Sequence, residues 1–337
     1  MLRLPRYRYH RPTALEEAQD AYLIHGPKAM FISGGTDLIP NLKHRLFEPE
    51  HLISLRGVAS LKGISRLGDV LRIGATETLT ATAAHPLVQR LFPALSEAAG
   101  AVAGPQLRNS GTIGGNVCLE TRCTYYNQTE FWRNALGYCL KKDGDACHVT
   151  RVGRKCVAAH SADTPPVLAC LDASVEIADR SGTRVVPVTE FFVADGIANT
   201  VRGPHDLVVS VHIPLRSASL RQGYAKLRQR RSIDFPLLTV AVSAEMTEDG
   251  ADGGRVKKVT GVVTAMGSRP RLLTGWNRIA RGNGLTDEVI DALAERAHRQ
   301  CHPLTNIAVD VDWRRAMVPV FTRRALEAAK GRPPRSA

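Results

Sequence analysis

The order of apolar segments predicts an α/β or α+β protein, and two observations carry that reading. Over the first two thirds of the chain, short apolar strand patterns alternate with amphipathic helix patterns. In the last third, two long strand patterns precede two helix-length segments, as in a sheet with helices on one side. A third observation marks an exception. Residues 118–157 show weak periodicity and hold five of the seven cysteines.

Each element has a local cause. "TALEEAQDAYLIHG" (13–26) predicts a helix with Thr13 as N-cap, Glu16 completing a capping box and Gly26 closing it. "AMFIS" (29–33) reads as an apolar strand, and "GGTDLIPNLKHR" (34–45) as a turn entering a helix. "HLISLRG" and "VLRIGA" read as further short strands. Residues 75–102 read as helical, interrupted near Pro86 and Pro93. After the cysteine-rich stretch, strands are expected at 173–179, in "TRVVPVTEFF" and at 206–215, with a boundary near 216–221. Strands at 238–246 and 255–266 follow, then helices around 286–300 and 312–329.

A chain of 337 residues exceeds one small core, so two or three domains are expected. The net charge is +13, yet the basic residues are scattered, with denser stretches only at 226–232 and 330–337. Aromatic content is 5% and no stacking platform is visible, so a nucleic-acid partner is not expected. A basic face for an anionic cofactor or an acidic redox partner fits better. No apolar run reaches about 18 residues, so no membrane span is expected. The basic N-terminus lacks an apolar signal core, which points to the cytoplasm.

Two glycine loops could carry chemistry: "SGGTDL" (33–38) after a strand, and "GTIGGN" (111–116). Successive backbone N–H groups in such loops can converge on one anion. Neither loop has the spacing of the common dinucleotide or P-loop motifs, so each could also be a simple turn. The cysteines run Cys123, Cys139, Cys147, Cys156, with Cys118 five positions before the first. Four thiolates can hold zinc or a [4Fe–4S] cluster. The spacing matches neither paired zinc knuckles nor a compact ferredoxin run, and buried free thiols are the alternative. Cys170, in the apolar run "VLACLDA", reads as a small core residue, and Cys301, far from the others, as structural.

Five ordered motifs, "GGTDL", "IGATETLT", "RNSGTIGGN", "SADTPPVLACLDA" and "YAKLRQRRSIDFPLLTVAV", resemble the FAD-binding medium subunits of the xanthine dehydrogenase / carbon monoxide dehydrogenase family. "TRCTYYNQTEFWR" and "GYCLKKDGDACHV" resemble, more narrowly, the β subunits of 4-hydroxybenzoyl-CoA reductase, where such a loop carries an extra [4Fe–4S] cluster. The resemblance implies an α+β chain with a two-subdomain FAD-binding region of PCMH type, followed by a C-terminal antiparallel sheet with helices. The expected divisions are 1–216 for FAD binding, including the insertion 118–157, then 221–330 for the C-terminal domain and 331–337 as a disordered tail. Ser33, Gly34, Gly35, Thr36 and Asp37 would form the first pyrophosphate loop. Thr112, Gly114, Gly115 and Asn116 would form the second, near the flavin ring. Thr76 and Thr80 would shape the same cleft, Asp163 would lie near the sugar or ribityl chain, and Lys226 near the isoalloxazine. Cys123, Cys139, Cys147 and Cys156 would hold the cluster, with Cys118 a spare. Read without the resemblance, Asp37 could cap the next helix, Asp163 could be a turn residue, and Lys226 could be solvated.

The resemblance further implies an electron-transfer subunit with no catalytic residue of its own. Its partners would be a large molybdenum-cofactor subunit and a small [2Fe–2S] subunit, in a heterohexamer of two three-subunit units. The reaction implied is reductive dehydroxylation of 4-hydroxybenzoyl-CoA to benzoyl-CoA in anaerobic aromatic degradation, with reduced ferredoxin as donor. Two other readings stay open. One is the FAD subunit of an ordinary molybdenum hydroxylase whose loop binds zinc or nothing. The more distant one is a zinc-stapled nucleic-acid-binding protein.

Overall fold

The computed structural model describes residues 2–150, 153–230, 232–247 and 254–331. Among the described residues, twelve strands form three sheets. β1 (Arg8–His10), β2 (Ala29–Ile32) and β3 (His51–Ser54) make a small parallel sheet in the order β1-β3-β2. β4 (Ile64–Leu67), β5 (Val70–Gly74), β6 (Ser174–Asp179), β7 (Gly182–Pro187) and β8 (Leu207–Pro214) make an antiparallel sheet in the order β4-β5-β8-β6-β7. β9 (Arg221–Leu227), β10 (Leu238–Met246), β11 (Val256–Thr264) and β12 (Arg271–Leu272) make the third, also antiparallel.

The small sheet follows from sequence directly. β2 and β3 are short and apolar, and Leu52 and Ile53 are fully buried. The helix Leu15–His25 connects β1 to this layer and buries Ala18 against it. Its start differs from expectation. Ala14, not Thr13, is the N-cap, and Glu17, not Glu16, folds back. The Glu17 carboxylate accepts from the Thr13 and Ala14 backbone N–H groups at 2.8 and 3.3 Å, because it lies one turn beyond both. Gly26 does close the helix, with φ of +55°.

Residues 75–102 form three short helices, Leu79–Ala84, Pro86–Leu91 and Pro93–Gly100. Pro86 and Pro93 each begin a helix, where the missing N–H costs nothing. Their apolar faces join the helix Thr164–Cys170 and β5, β6 and β8 in the largest core. The last third encloses a second core between the β9–β12 sheet and the helices Trp276–Ala280, Asp287–Gln300 and Val311–Gly331. Cys170 packs in the first core, as its apolar run in sequence indicates, and Cys301 packs in the second.

The strands β1, β4, β9 and β12 carried no clear alternation. β9, for instance, is buried at four successive positions, Gln222–Ala225, because the helix Val311–Gly331 covers one face and the first core, with the helix Pro93–Gly100, covers the other. The tail 331–337, apart from Gly331, lies outside the described residues. Among the described residues no helix is long and apolar enough to cross a membrane.

Candidate FAD cleft and cysteine insertion

A cleft of about 610 Å³ opens between the small parallel sheet and the five-stranded sheet. Ser33, Gly34, Gly35, Thr36 and Asp37 line one wall, as the continuation of β2. Thr112, Gly114, Gly115 and Asn116 line the facing wall, with Thr76 beside them at the end of β5 and Asp163 deeper in.

The two loops touch each other. A methyl group at Gly34 would collide with the Ser110 carbonyl, its carbon lying 2.6 Å from the Ser110 carbonyl carbon and 2.9 Å from Gly111 Cα. Gly35 has φ of +71°, which turns the chain before the helix Leu38–Lys43. Among the described residues, the N–H groups of Gly34, Gly35 and Thr36 take no hydrogen-bond acceptor. The Ser33 hydroxyl is buried and unpartnered. A wall of free N–H groups, one orphan hydroxyl and no side-chain bulk fits the diphosphate of a dinucleotide.

The second loop is braced internally. Thr112 caps the helix Ile113–Val117, its hydroxyl accepting from Gly115 N–H at 3.1 Å. Gly114 N–H donates to Ala75 O at 2.9 Å. The Asn116 carboxamide oxygen accepts from Thr164 N–H and Oγ1–H at 3.1 and 2.7 Å. The Thr76 hydroxyl donates to Leu61 O at 2.8 Å. These residues therefore shape the wall, with much of their hydrogen-bonding capacity spent on holding it.

Two expected residues do not line the cleft. Thr80 donates to Asn109 Oδ1 at 2.6 Å on the outer side of the second loop. Lys226 is neither at the cleft surface nor solvated: its side chain is 4% exposed. Its ammonium donates to Asp163 Oδ2 at 3.1 Å and Ala101 O at 2.9 Å. Asp163 also accepts from Tyr224 OH at 2.6 Å. Burial pushes the Asp163 carboxyl above its ordinary value and the Lys226 ammonium below its own, each offset in part by the other's charge. Asp163 occupies the N-cap position of the helix Thr164–Cys170 but makes no side-chain cap bond, so its partners are these two residues. Tyr224 was not singled out from sequence. It stands two residues before Lys226 on one strand, hence on the same face, and that spacing is the signal.

Asp37 likewise sits at an N-cap position without a cap bond. It forms an ion pair with Arg122, whose guanidinium also lies over the Phe235 ring at 4.5 Å. Burial pulls the Arg122 guanidinium down to about 10. Arg122, unremarked in sequence, thus ties the insertion to the first glycine loop. Leu119, Glu120 and Cys118 belong to the cleft wall itself.

Beyond Arg122 the insertion contains one helix, Glu130–Leu136, capped by Thr129. Two buried cations hold it. Arg133 donates to His44 O at 2.9 Å, Arg45 O at 3.1 Å and Glu130 Oε2 at 2.6 Å. The Lys141 ammonium meets Glu120, Thr121 Oγ1 and Gly196 O. Thr124 N–H reaches Asn306 O at 2.8 Å, joining the insertion to the last third of the chain. Buried backbone carbonyls are thus satisfied by side chains, in place of regular structure.

All four expected cysteines lie in this region. Cys123, Cys139 and Cys156 are buried and Cys147 is half-buried. Burial pushes the Cys123 thiol up to about 11, opposed by N–H groups of Tyr125 and Tyr126 and reinforced by Cys156 and Cys139 nearby. Burial likewise raises Cys156, with Ala158 N–H donating to its sulfur at 3.4 Å and Cys147 and Cys139 close enough to repel. At Cys147 burial is outweighed by the Thr150 hydroxyl and the N–H groups of Thr150, Val149 and Val157, and the thiol is lowered. Among the described residues, no three of these sulfurs lie within 4.8 Å of one another. A tetrahedral zinc site needs sulfurs about 3.8 Å apart, given Zn–S bonds of about 2.3 Å. Cys139 and Cys156 act on the Cys123 thiol, and Cys147 and Cys139 on Cys156, so the four lie in one neighbourhood. Cys118 faces the cleft and the first core, away from this group.

Comparison with known proteins decides the family. The FAD binding domain in molybdopterin dehydrogenase matches residues 5–216, and the CO dehydrogenase flavoprotein C-terminal domain matches 223–329. This chain is an FAD-binding medium subunit of the xanthine/carbon monoxide dehydrogenase family. The aldehyde oxidoreductase FAD-binding subunit of Escherichia coli (strain K12) is 35% identical over 253 residues, covering 72% of this chain and 77% of that protein. The carbon monoxide dehydrogenase medium chain of Hydrogenophaga pseudoflava is 28% identical over 331 residues, covering 97% and 98%. The structure of the carbon monoxide dehydrogenase from that organism superposes with a TM-score of 0.79 over 98% of this chain and 99% of the other, at 26% identity. Membership brings FAD binding and makes the chain an oxidoreductase subunit of the molybdenum hydroxylase family. The family's α+β architecture, an FAD-binding region followed by an antiparallel sheet with helices, is the one described above.

Proposed function

We propose that this medium subunit carries two redox groups, FAD in the cleft and a [4Fe–4S] cluster on Cys123, Cys139, Cys147 and Cys156. The observation that carries the proposal is the insertion's architecture. Four cysteines of one insertion lie near enough to act on one another's charge, backbone N–H groups approach Cys123, Cys147 and Cys156, and their loop is tied to the first glycine loop by the Arg122–Asp37 pair. Bound FAD supplies both one- and two-electron chemistry, and a cluster supplies one-electron transfer at a potential set by hydrogen bonds, charge and exposure. The residues themselves bind and orient. Ser33 to Thr36 offer N–H groups and a hydroxyl to the diphosphate, Asp163 is held for a hydroxyl-bearing part of the cofactor, and Tyr224 and Lys226 fix Asp163.

On the resemblance of the insertion, we assign the holoenzyme to reductive dehydroxylation. 4-Hydroxybenzoyl-CoA, two electrons and two protons give benzoyl-CoA and water. A single-electron donor such as ferredoxin suits a cluster placed beside FAD, and the +13 charge suits an acidic donor. A second reading has a specific ground: the relatives described above are named for the oxidation of carbon monoxide or aldehydes. In that reading electrons leave through FAD. The test is anaerobic turnover of the complete complex. Benzoyl-CoA formed from 4-hydroxybenzoyl-CoA with a low-potential donor supports the first reading. No benzoyl-CoA, with an aldehyde or purine oxidised by a dye acceptor instead, supports the second.

A further inference from the structure

Three histidines meet on the far side of the small parallel sheet, and none of them lines the FAD cleft. His10 ends β1, His51 begins β3, and His25 ends the helix Leu15–His25. One ring nitrogen from each lies within 4.8 Å of the other two, and among the described residues no other group of three His, Cys, Asp or Glu comes so close. His10 Nε2 and His51 Nδ1 are 2.9 Å apart. The His25 and His51 rings stack with centroids 3.6 Å apart and planes 7° apart. His51 is buried, while His10 and His25 are half-buried, so the cluster is reachable from solvent.

We propose that His10, His25 and His51 form a binding site for one divalent transition-metal ion of the zinc class, separate from FAD and from the cysteine insertion. Imidazole is the preferred nitrogen ligand for such ions, and three histidines with one open position is a common donor set. With Zn–N bonds of about 2.0–2.1 Å, tetrahedral ligation sets ligand nitrogens about 3.4 Å apart. The His10–His51 separation is shorter than this and all three nitrogens lie within 4.8 Å, so small ring rotations bring all three into register. His25 must turn most, because stacked rings aim their lone pairs in parallel. Its place at a helix end, followed by Gly26 at positive φ, leaves room for that turn. The charges beside the site are Glu50, which adjoins His51 and pairs with Lys28 at 2.8 Å, and Arg8, whose positive charge also acts on His51 and which a bound cation would have to tolerate.

The three donors come from three separate elements of one small sheet. An ion held by all three would fasten the edge strand β1 and the helix end to β3, beside β2, whose continuation is the Ser33–Asp37 wall. Metal occupancy would therefore stabilise the layer that presents this wall, without touching the cofactor.

The test uses the full complex, incubated with Zn²⁺, freed of loose metal and assayed by elemental analysis and zinc X-ray absorption. The control variant is Cys139→Ser, and the test variants are His25→Gln and His10→Gln. The expected result is one zinc per chain with nitrogen neighbours, kept in Cys139→Ser and lost in His25→Gln, with a zinc-dependent rise in Tm that disappears with it. His10→Gln repeats the test should His25→Gln prove unstable. Equal zinc in the wild type and both histidine variants, or zinc with sulfur neighbours only, overturns the proposal.

Discussion

Replacing Gly34 by alanine tests how closely the two glycine loops must approach to hold FAD. The new methyl carbon would stand 2.6 Å from the Ser110 carbonyl carbon and nearer still to its oxygen, where ordinary contact begins near 3.4 Å, so the loops must part by more than about 0.8 Å. The obstacle is backbone on both sides, which no rotamer change relieves. Overpacking by one such group costs about 1–3 kcal/mol. If parting the loops relieves the strain, the cost falls on the bound state, because FAD needs both walls. At a factor of ten per 1.4 kcal/mol, FAD should bind roughly 5- to 150-fold more weakly. The assay is fluorescence of FAD released on dilution of the purified complex, with Gly267→Ala as control, since a methyl there meets nothing within 4 Å. Unchanged FAD retention in Gly34→Ala, at unchanged Tm, would refute the claim that loop contact sets the site.

Three further outcomes follow from buried charges. Arg122→Ala should leave Asp37 with only the Asn41 amide and no cation, and weaken FAD retention by about 1.5–3 kcal/mol, the range for hydrogen bonds to charged groups, and limited proteolysis should then cut the insertion faster. Lys226→Met should lower stability by about 3–5 kcal/mol in urea melts, because the buried Asp163 loses its cation, whereas Asp163→Asn with Lys226→Met should recover part of the loss. His160 is fully buried with both ring nitrogens unpartnered, and burial pulls it down to about 3. A folded value below the unfolded one means that the unfolded chain binds the extra proton. Stability from this residue is thus complete above about 6.5 and falls as pH drops towards 3, by up to about 1.4 kcal/mol per unit. His160→Phe should flatten that part of the pH profile of Tm; an unchanged slope would assign the acid sensitivity elsewhere.

Sequence carried the fold where a segment's pattern matched its final surroundings. β2, β3, β10 and β11 are apolar because they are buried, and Pro86 and Pro93 mark helix starts that only proline geometry explains. The glycine loops were legible for the same reason, since a bare backbone has few other uses. What sequence hid were pairings across distance. Lys226 looked like one basic residue among many, yet Asp163 draws it inside from 63 positions away. Arg122 drew no notice because its partner, Asp37, lies on another layer. The insertion shows little periodicity because side chains anchor it to its neighbours: Arg133 reaches His44 O and Lys141 reaches Gly196 O, contacts that leave only one short helix pattern to read.

The most direct test of the account is the flavin, iron and sulfide content of the complex purified without oxygen, in wild-type and Cys139→Ala forms. The account expects one FAD per chain in both. It also expects about four iron and four sulfide beyond those of the small subunit in the wild type, absent from the variant. Equal iron in the two forms, or zinc in place of iron, would contradict a cluster in the insertion and leave this chain a medium subunit with FAD alone.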